Sequence, residues 1–315
     1  MDARLELTDL PEGFTARPAT MDDVDAVTAV VAACEILHDG VAGVDREDIV
    51  ADWGRGSFDL NRESVVVLAG DDVVAEVDVF LGRAEGNVHP DWHDRGIGTW
   101  LLGRAEAIAR AQAVPRVSQT VSDRAADAVA LLQRHGYVFG YTSWILRIDQ
   151  TDRPPDPGLP PGVAFRNYAP GADDREVFQV IEDAFSEWPD RQPNTFEDWY
   201  PMVPGRASFE PWMMLLAADI VSGEIVGVAN VIDQDPDAGW VQQLATKATH
   251  RHRGIGRALM RQAMTVFWDL GKPGLEVSTD SRTGALGLYE KVGMHVTASY
   301  TNFAKDLAEA SGERP

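Results

Sequence analysis

Cysteine is nearly absent from this chain, which has one, Cys34, among its 315 residues. A single cysteine cannot form an intrachain disulfide, and it excludes a zinc site built from several cysteines. We therefore expect Cys34 to be a small apolar core residue, as in proteins of a reducing compartment. No metal is expected.

Long apolar runs are also absent, and we expect no signal peptide. The first residues, "MDARLELTDL", have neither the basic start nor the apolar stretch of a signal peptide. No window approaches the roughly 20 apolar residues that span a bilayer. We expect a soluble, cytoplasmic protein without a membrane partner.

Basic residues are scarce beside acidic ones: 28 lysines and arginines face 50 aspartates and glutamates, for a formal charge of −22. Such a field repels a phosphate backbone, so nucleic acid is a poor candidate partner and none is expected. The same charge would attract a cationic amine, but it is also what solubility alone requires. Charge therefore says little about the substrate.

Prolines are concentrated in residues 151–162, "TDRPPDPGLPPG", which contain five of them. Because proline lacks an amide donor and favours an extended backbone, this segment predicts a semi-rigid connector. The chain is also long enough for two domains. We predict an N-terminal domain over 1–150, the linker, and a C-terminal domain over 163–315.

The tetrapeptide Arg-Gly-Ile-Gly occurs twice, at residues 95–98 and 253–256. The spacing of the flanks corresponds as well: Gly136 lies 40 residues after the first glycine of one copy, and Gly293 lies 39 after that of the other. A coincidental tetrapeptide would not bring matching flanks at matching distances. The two halves therefore form a tandem repeat.

Each half alternates helix-like and strand-like segments. Apolar periodicity predicts helices over 22–37, 97–112, 174–188 and 255–270, with strands between them and a last strand closing each half. The predicted fold class is α/β (α+β), with two tandem domains that each hold a mixed, mostly antiparallel twisted sheet flanked by helices.

A strand, a glycine turn and a helix start form a geometry that binds anions. Free backbone N–H groups point out of the first helical turn, and Gly254 and Gly256 let a diphosphate approach the backbone. Three basic-type residues at 251–253 precede the turn and can pair with phosphate. Leu259 stands where a Rossmann fingerprint needs its third glycine, so the motif is of another kind.

Two segments of the second half, "QQLATKATHRHRGIGRALM" and "STDSRTGALGLYEKVGM", resemble the GNAT superfamily of acyl-CoA-dependent N-acetyltransferases. One family signature falls on Arg251, Gly254 and Gly256, and the other falls on Tyr289 and Gly293. The whole chain is similar to the two-domain GNAT proteins, of which mycothiol synthase is one. The resemblance implies acetyl-CoA as co-substrate and acetyl transfer to a primary amine.

The resemblance also implies how acetyl-CoA is held. A splayed strand over 241–246 would offer unpaired amides to the pantetheine arm and the acetyl carbonyl, and the glycine turn would hold the diphosphate. Ser281 stands where the family usually has asparagine. The implied CoA-binding residues are Leu244, Ala245, Thr246, Arg251, His252, Arg253, Gly254, Ile255, Gly256, Arg257 and Ser281.

The two copies differ where the chemistry needs specific groups. Expelling a thiolate requires a proton donor, and Tyr289 is the expected general acid. The first copy has Leu132 in that place and His93 in place of Arg251, so we expect a degenerate partner that does not react. A second CoA site in that copy would use Val88, Arg95, Gly96, Gly98 and Thr99.

The acceptor and the general base stay open. Glu182, Asp183 and Glu187 on the first helix of the second half are candidate bases, and Trp188 is a candidate acceptor contact, although a solvated acidic helix face gives the same pattern. The expected acceptor is a small-molecule amine, such as an amino sugar conjugate, an antibiotic or a polyamine. The alternatives are a protein lysine or N-terminus, or a non-catalytic acyl-CoA-binding module. Both a monomer and a homodimer fit the sequence.

Overall fold

The computed structural model describes residues 9–188, 193–233 and 235–307. They form two compact units. The first contains the described residues up to Thr142 together with those from Ser299 onward, and the second runs from Ser143 to Ala298. Among the helices of this described part, none is long and apolar enough to cross a membrane.

The first unit packs helices on both faces of a twisted mixed sheet. Val65 and Val67 contact the core under one set of helices, whereas Val66, between them, contacts the core on the opposite face. Its elements are β1 (Thr15–Arg17), α1 (Val24–Asp39), α2 (Arg46–Trp53), α3 (Leu60–Glu63), β2 (Ser64–Ala69), β3 (Asp72–Phe80), β4 (Arg83–Val88), α4 (Ile97–Ala111), β5 (Arg116–Ser122), α5 (Ala126–Arg134) and β6 (Val138–Asp149), whose last residues belong to the second unit.

The second unit repeats this plan. Its remaining elements are β7 (Val163–Arg166), α6 (Asp174–Phe185), α7 (Phe196–Met202), β8 (Met214–Asp219), β9 (Ile225–Ile232), β10 (Ala238–Thr246), α8 (Ile255–Asp269), β11 (Gly274–Asp280), α9 (Leu286–Lys291) and β12 (His295–Asp306), whose end belongs to the first unit. Strands β7 to β10 pair antiparallel in order, and β11 runs parallel to β10. The first unit has the same order in β1 to β5.

The same ion pair precedes the first long helix of each unit. Arg17 donates two hydrogen bonds of 2.6 Å to Asp23, just before α1. Arg166 donates at 2.7 and 3.1 Å to Asp173, just before α6. The Arg17 guanidinium holds the pKa of Asp23 at about 2. The two units therefore share this local ion pair as well as their order of elements.

The predicted helices are confirmed by α1, α4, α6 and α8, to within three residues at each end. The mixed sheet flanked by helices is confirmed as well. The sequence patterns missed the short helices α2 and α7 and the strand β4, which lack a clear apolar period. They are short, and their packing is decided by tertiary contacts.

The prediction that a last strand closes its own half is wrong. Residues 143–149 of β6 pair with β11 in the second unit, and residues 300–306 of β12 pair with β5 in the first. Both strands follow equivalent helices and meet equivalent sheet edges, so a local pattern cannot distinguish the two pairings. The division between units accordingly falls at Thr142 and Ser299, whereas the proline-rich segment at 151–162 lies inside the second unit.

Candidate active site

Both Arg-Gly-Ile-Gly turns adopt the same backbone conformation. Gly254 (φ +89°) and Gly96 (φ +84°) are left-handed residues directly before α8 and α4. Two positions earlier, His252 (φ 61°) and Asp94 (φ 59°) are left-handed too. Left-handed residues at a helix start turn successive amides toward one concavity, which is an arrangement that binds anions.

The strand before each turn leaves its parallel neighbour. Strand β10 pairs with β11 as far as Val241 and then diverges from it. The amide of Lys247 donates to Val226 on β9, so by alternation the amides of Leu244 and Thr246 point away from β9, toward the gap. These are main-chain donors that a ligand in the gap can use.

The first unit has the same gap. Strand β4 pairs with β5 only at Arg83 and Ala84. The amide of His89 donates to Val74, which turns the amides of Gly86 and Val88 toward the open side. The duplicated geometry therefore extends from the turn to the strand before it.

The two strands differ by one irregularity. Between Val241 and Gln243 the pairing of β10 with β9 shifts by one residue, so that Gln242 forms a β-bulge. The pairing of β4 with β3 has no such shift between its first pair, Phe80 with Arg83, and its last, Ala75 with Val88. A bulge changes the local twist and re-aims the groups beside it. The second unit therefore presents its gap amides at a different angle.

Arg251 connects the glycine turn with its surroundings. Its Nε donates to the carbonyl of Thr246 at 3.2 Å, and its Nη1 donates to Oε2 of Glu187 at 2.5 Å. In the first unit, His93 makes the equivalent contact, from Nε2 to the carbonyl of Val88 at 2.9 Å. Arg251 is always charged and has further N–H donors, which allow its second contact with Glu187.

Tyr289 lies on α9 in the apolar core of the second unit, with 6% of its surface exposed. Within the described residues its hydroxyl has no hydrogen-bond partner, and burial alone raises its pKa to about 12. A hydroxyl without a protein partner is free to donate to a ligand. Leu132, at the equivalent place of the first unit, is equally buried but carries no proton.

The other residues of the predicted CoA site surround the turn. Arg253 donates to the carbonyl of Pro161 at 3.4 Å, and Arg257 extends over Gly254, where an added Cβ would lie 3.9 Å from its Nη2. Gly256 faces Thr246: a Cβ atom added at Gly256 would lie 3.7 Å from the Thr246 Oγ1. The remaining members occupy β10 (Leu244, Ala245), the start of α8 (Ile255), the turn before it (His252) and the exposed turn after β11 (Ser281).

The candidate acceptor residues are not brought together. Glu182 accepts from the amide of Asn194 at 3.0 Å, and Asp183 accepts from Gln179 at 2.7 Å. Trp188 stacks on Phe185, with ring centroids 4.6 Å apart. Of the acidic candidates, only Glu187, through Arg251, reaches the glycine turn.

Sequence reasoning missed a set of amide contacts on β10. Trp199 of α7 donates from Nε1 to Oε1 of Gln243 at 3.1 Å, and Asn230 of β9 donates from Nδ2 to Oε1 of Gln242 at 2.5 Å. The dipeptide Asp-Trp at 52–53 and 198–199 was a weak signal, because it also occurs at 91–92.

The first unit contains a cavity of about 500 Å³ at its gap. Val88, Gly96, Gly98 and Thr99, all expected at a second CoA site, line it. Arg95 instead stacks on the ring of Trp92 at 4.6 Å. Sequence reasoning also missed Asp39 and Tyr300, which share a 3.2 Å hydrogen bond at this cavity, because Tyr300 arrives on the exchanged strand.

Comparisons with known proteins identify the family of this chain. The sequence profile of the acetyltransferase (GNAT) family matches residues 85–137 and 175–294, more than half of the chain. A mycothiol acetyltransferase from Nocardia farcinica is 29% identical over 89% of this chain and 94% of its own.

Solved structures are similar over nearly the whole chain. The crystal structure of a GCN5-related N-acetyltransferase from Sphaerobacter thermophilus is 31% identical with a TM-score of 0.73, over 94% of this chain and 96% of its own. A tandem GNAT protein from the clavulanic acid biosynthesis pathway shares the fold at 15% identity, with a TM-score of 0.69 over 93% of this chain and 98% of its own.

Proposed function

The chain belongs to the GNAT acetyltransferase family, and from that premise we propose that its second unit transfers the acetyl group of acetyl-CoA to a primary amine of a small molecule. That the protein is an acetyl-CoA-dependent acyltransferase follows from the family. The observation that carries the assignment to the second unit is a joint difference: Arg251, Tyr289 and the bulge at Gln242 occur there, and the first unit lacks all three.

The glycine turn supports a site for the diphosphate of acetyl-CoA. The amides that open α8 would bind its oxygens, and Arg251, Arg253 and Arg257 would add charge. Gly254 and Gly256 leave the approach free of Cβ atoms. The pantetheine arm would lie in the gap beyond Val241, where β10 and β11 diverge.

The chemistry proposed is direct attack. The lone pair of a neutral amine forms a bond to the thioester carbon, and the amide of Leu244 stabilises the oxyanion that results. Collapse of that intermediate breaks the carbon–sulfur bond. Tyr289 gives its proton to the departing thiolate, whose basicity is raised by the same apolar surroundings that raise the pKa of the phenol. The nitrogen loses its proton to water or to a carboxylate.

The acceptor proposed is a small molecule. Relatives that cover most of the chain are named mycothiol acetyltransferases, which favours a small amine over a protein lysine. Glu187 stays a candidate for contact with that amine, because it alone among the acidic candidates adjoins the turn. Glu182 and Asp183 are engaged with their own segment.

A second candidate function concerns the first unit, which we propose holds acyl-CoA without turnover. The cavity of about 500 Å³ and the left-handed turn at Gly96 support binding. Leu132 supports the absence of turnover, since its side chain cannot protonate a thiolate.

The test of the proposed function is release of thiol from acetyl-CoA against a panel of small primary amines and a lysine-containing peptide. We expect release with at least one small amine and none with the peptide. Release with the peptide alone would favour a protein acceptor. Tight binding of acetyl-CoA without release in any arm would favour the non-catalytic binding module.

A further inference from the structure

The bulge of β10 is held from outside the strand. Gln242, the extra residue, and Gln243, which follows it, each use the side-chain oxygen to accept a hydrogen bond. The donors, Asn230 and Trp199, are each only 1% exposed. A buried donor that loses its acceptor has no water to replace it, so both contacts resist breaking.

These contacts come from two different elements. Asn230 belongs to β9 and lies opposite Gln243 in the pairing, so it reaches the bulge from the neighbouring strand. Trp199 belongs to α7 and packs in the core between that helix and the sheet. The neighbouring strand β9 and the helix α7 therefore both hold β10 at Gln242 and Gln243, directly before Leu244.

The first unit provides a natural comparison. Asp78 and Glu85 occupy the register positions of Asn230 and Gln243. Trp53 donates at 3.1 Å to Asp78 on β3, the counterpart of β9, whereas Trp199 donates to Gln243 on β10 itself. At the position of Gln242, twelve residues before the turn glycine, stands Ala84, which cannot accept a hydrogen bond from a side chain. There the strand is regular. The first unit thus has a tryptophan on the equivalent helix, but its hydrogen bond goes to β3, and β4 has neither a glutamine at the bulge position nor a bulge.

From this comparison we infer that Asn230 and Trp199 are positioning residues, which hold the β10 bulge so that the Leu244 amide faces the thioester carbonyl of acetyl-CoA. This inference rests on the proposed function of the second unit. Neither residue touches the reacting atoms. Their effect is on the direction of a main-chain donor, and a misplacement of about 1 Å at such a donor can cost about 100-fold in rate.

The test uses the full-length protein and acetyl-CoA labelled with ¹³C at the carbonyl. A hydrogen bond to the carbonyl lowers its infrared stretching frequency, which reports the Leu244 contact without an acceptor. Subtracting the spectrum of Gly254→Val isolates the second unit. We expect a lowered band in the wild type that returns toward the free value in Asn230→Ala and Trp199→Phe, with kcat reduced about 10- to 100-fold.

Two controls separate positioning from damage to the fold. Binding of CoA without the acetyl group should stay within about twofold of wild type in both variants, because the diphosphate contacts lie elsewhere. Trp53→Phe, the matched change in the first unit, should leave the band in place. The exchanged pair Asn230→Gln with Gln242→Asn keeps two amides of the same combined length and should restore part of the shift.

The possible results separate the positioning role of Asn230 and Trp199 from the proposed function of the second unit. A band that is the same in wild type and Gly254→Val would mean that the second unit does not hold the thioester, and the proposed function would fail. A band that is present in wild type, absent in Gly254→Val and unchanged in Asn230→Ala and Trp199→Phe would overturn the positioning role alone.

Discussion

Arg251 and Glu187 form an ion pair in which the guanidinium Nη1 lies 2.5 Å from the carboxylate Oε2. The arginine belongs to the glycine turn, and the glutamate lies just after α6. Because Arg251 donates to the charged carboxylate, it lowers the pKa of Glu187. A diphosphate at the turn would compete with that carboxylate for the same guanidinium.

Replacing Glu187 by Gln should therefore tighten the binding of CoA. The competing negative charge is lost, and we expect an affinity gain of about threefold, since the pair is exposed and such pairs are weak. Calorimetric titration with CoA at low and high salt measures it, and the gain should shrink with salt. Glu182→Gln is the matched control, because Glu182 contacts Asn194 instead. Equal gains in both variants would point to general repulsion.

Gly254→Val should weaken CoA binding at the second unit. The residue has φ +89°, a conformation that a β-branched side chain rarely adopts, and a Cβ there would obstruct the diphosphate. Gly96→Val, with φ +84°, is the matched change in the first unit and should alter turnover little. Titration and steady-state kinetics on both variants decide it. The reverse ranking would place catalysis in the first unit.

Tyr289→Phe should reduce kcat about 10- to 1,000-fold and leave CoA affinity nearly intact, because it removes only the proton donor. Tyr137→Phe is the control in the first unit, since the Tyr137 hydroxyl is buried and has no hydrogen-bond partner among the described residues. Thiol release and CoA titration measure the two effects. Equal turnover in wild type and Tyr289→Phe would remove Tyr289 from the mechanism.

The pH profile of kcat offers a separate check of the same group. The neutral phenol is the active form, and burial raises its pKa from 10 to about 12, so the active form persists as the pH rises through 10. Between pH 8 and 10.5, we therefore expect wild type and Tyr289→Phe to show the same alkaline behaviour of kcat. Loss of the Tyr289 proton should cause no fall in kcat over this range. Such a fall near pH 10 would show an ordinary, solvated phenol.

Lys305→Met tests the exchanged strand. Lys305 on β12 pairs at 2.7 Å with Glu106, whose side chain is fully buried on α4. The change leaves one oxygen of a buried carboxylate without its charged partner, while Arg110 still donates to the other at 2.8 Å, and we expect a loss of about 2 kcal/mol in urea unfolding. Asp306→Asn, also on β12, removes an exposed pair with Arg116 of β5 and should cost less than about 1 kcal/mol. Equal losses would mean that burial of Glu106 is not decisive.

Much of the fold follows from local patterns. The apolar period predicted α1, α4, α6 and α8, and the two glycine turns were placed correctly because a left-handed backbone before a helix favours glycine. The difference between Tyr289 and Leu132 was also visible, since it depends on residue identity at one aligned position. The roles of these residues toward acetyl-CoA remain predictions.

Other features could be seen only in the folded chain. The sequence contains two equivalent strands, β6 and β12, and two equivalent sheet edges, so only the packed structure shows that the strands are exchanged. The bulge at Gln242 and the donors Asn230 and Trp199 come from separate segments, and no local pattern reports their meeting. Residue type and spacing therefore determine the repeat and its helices, whereas pairing over long distances, with many alternatives of similar local energy, is decided by tertiary packing.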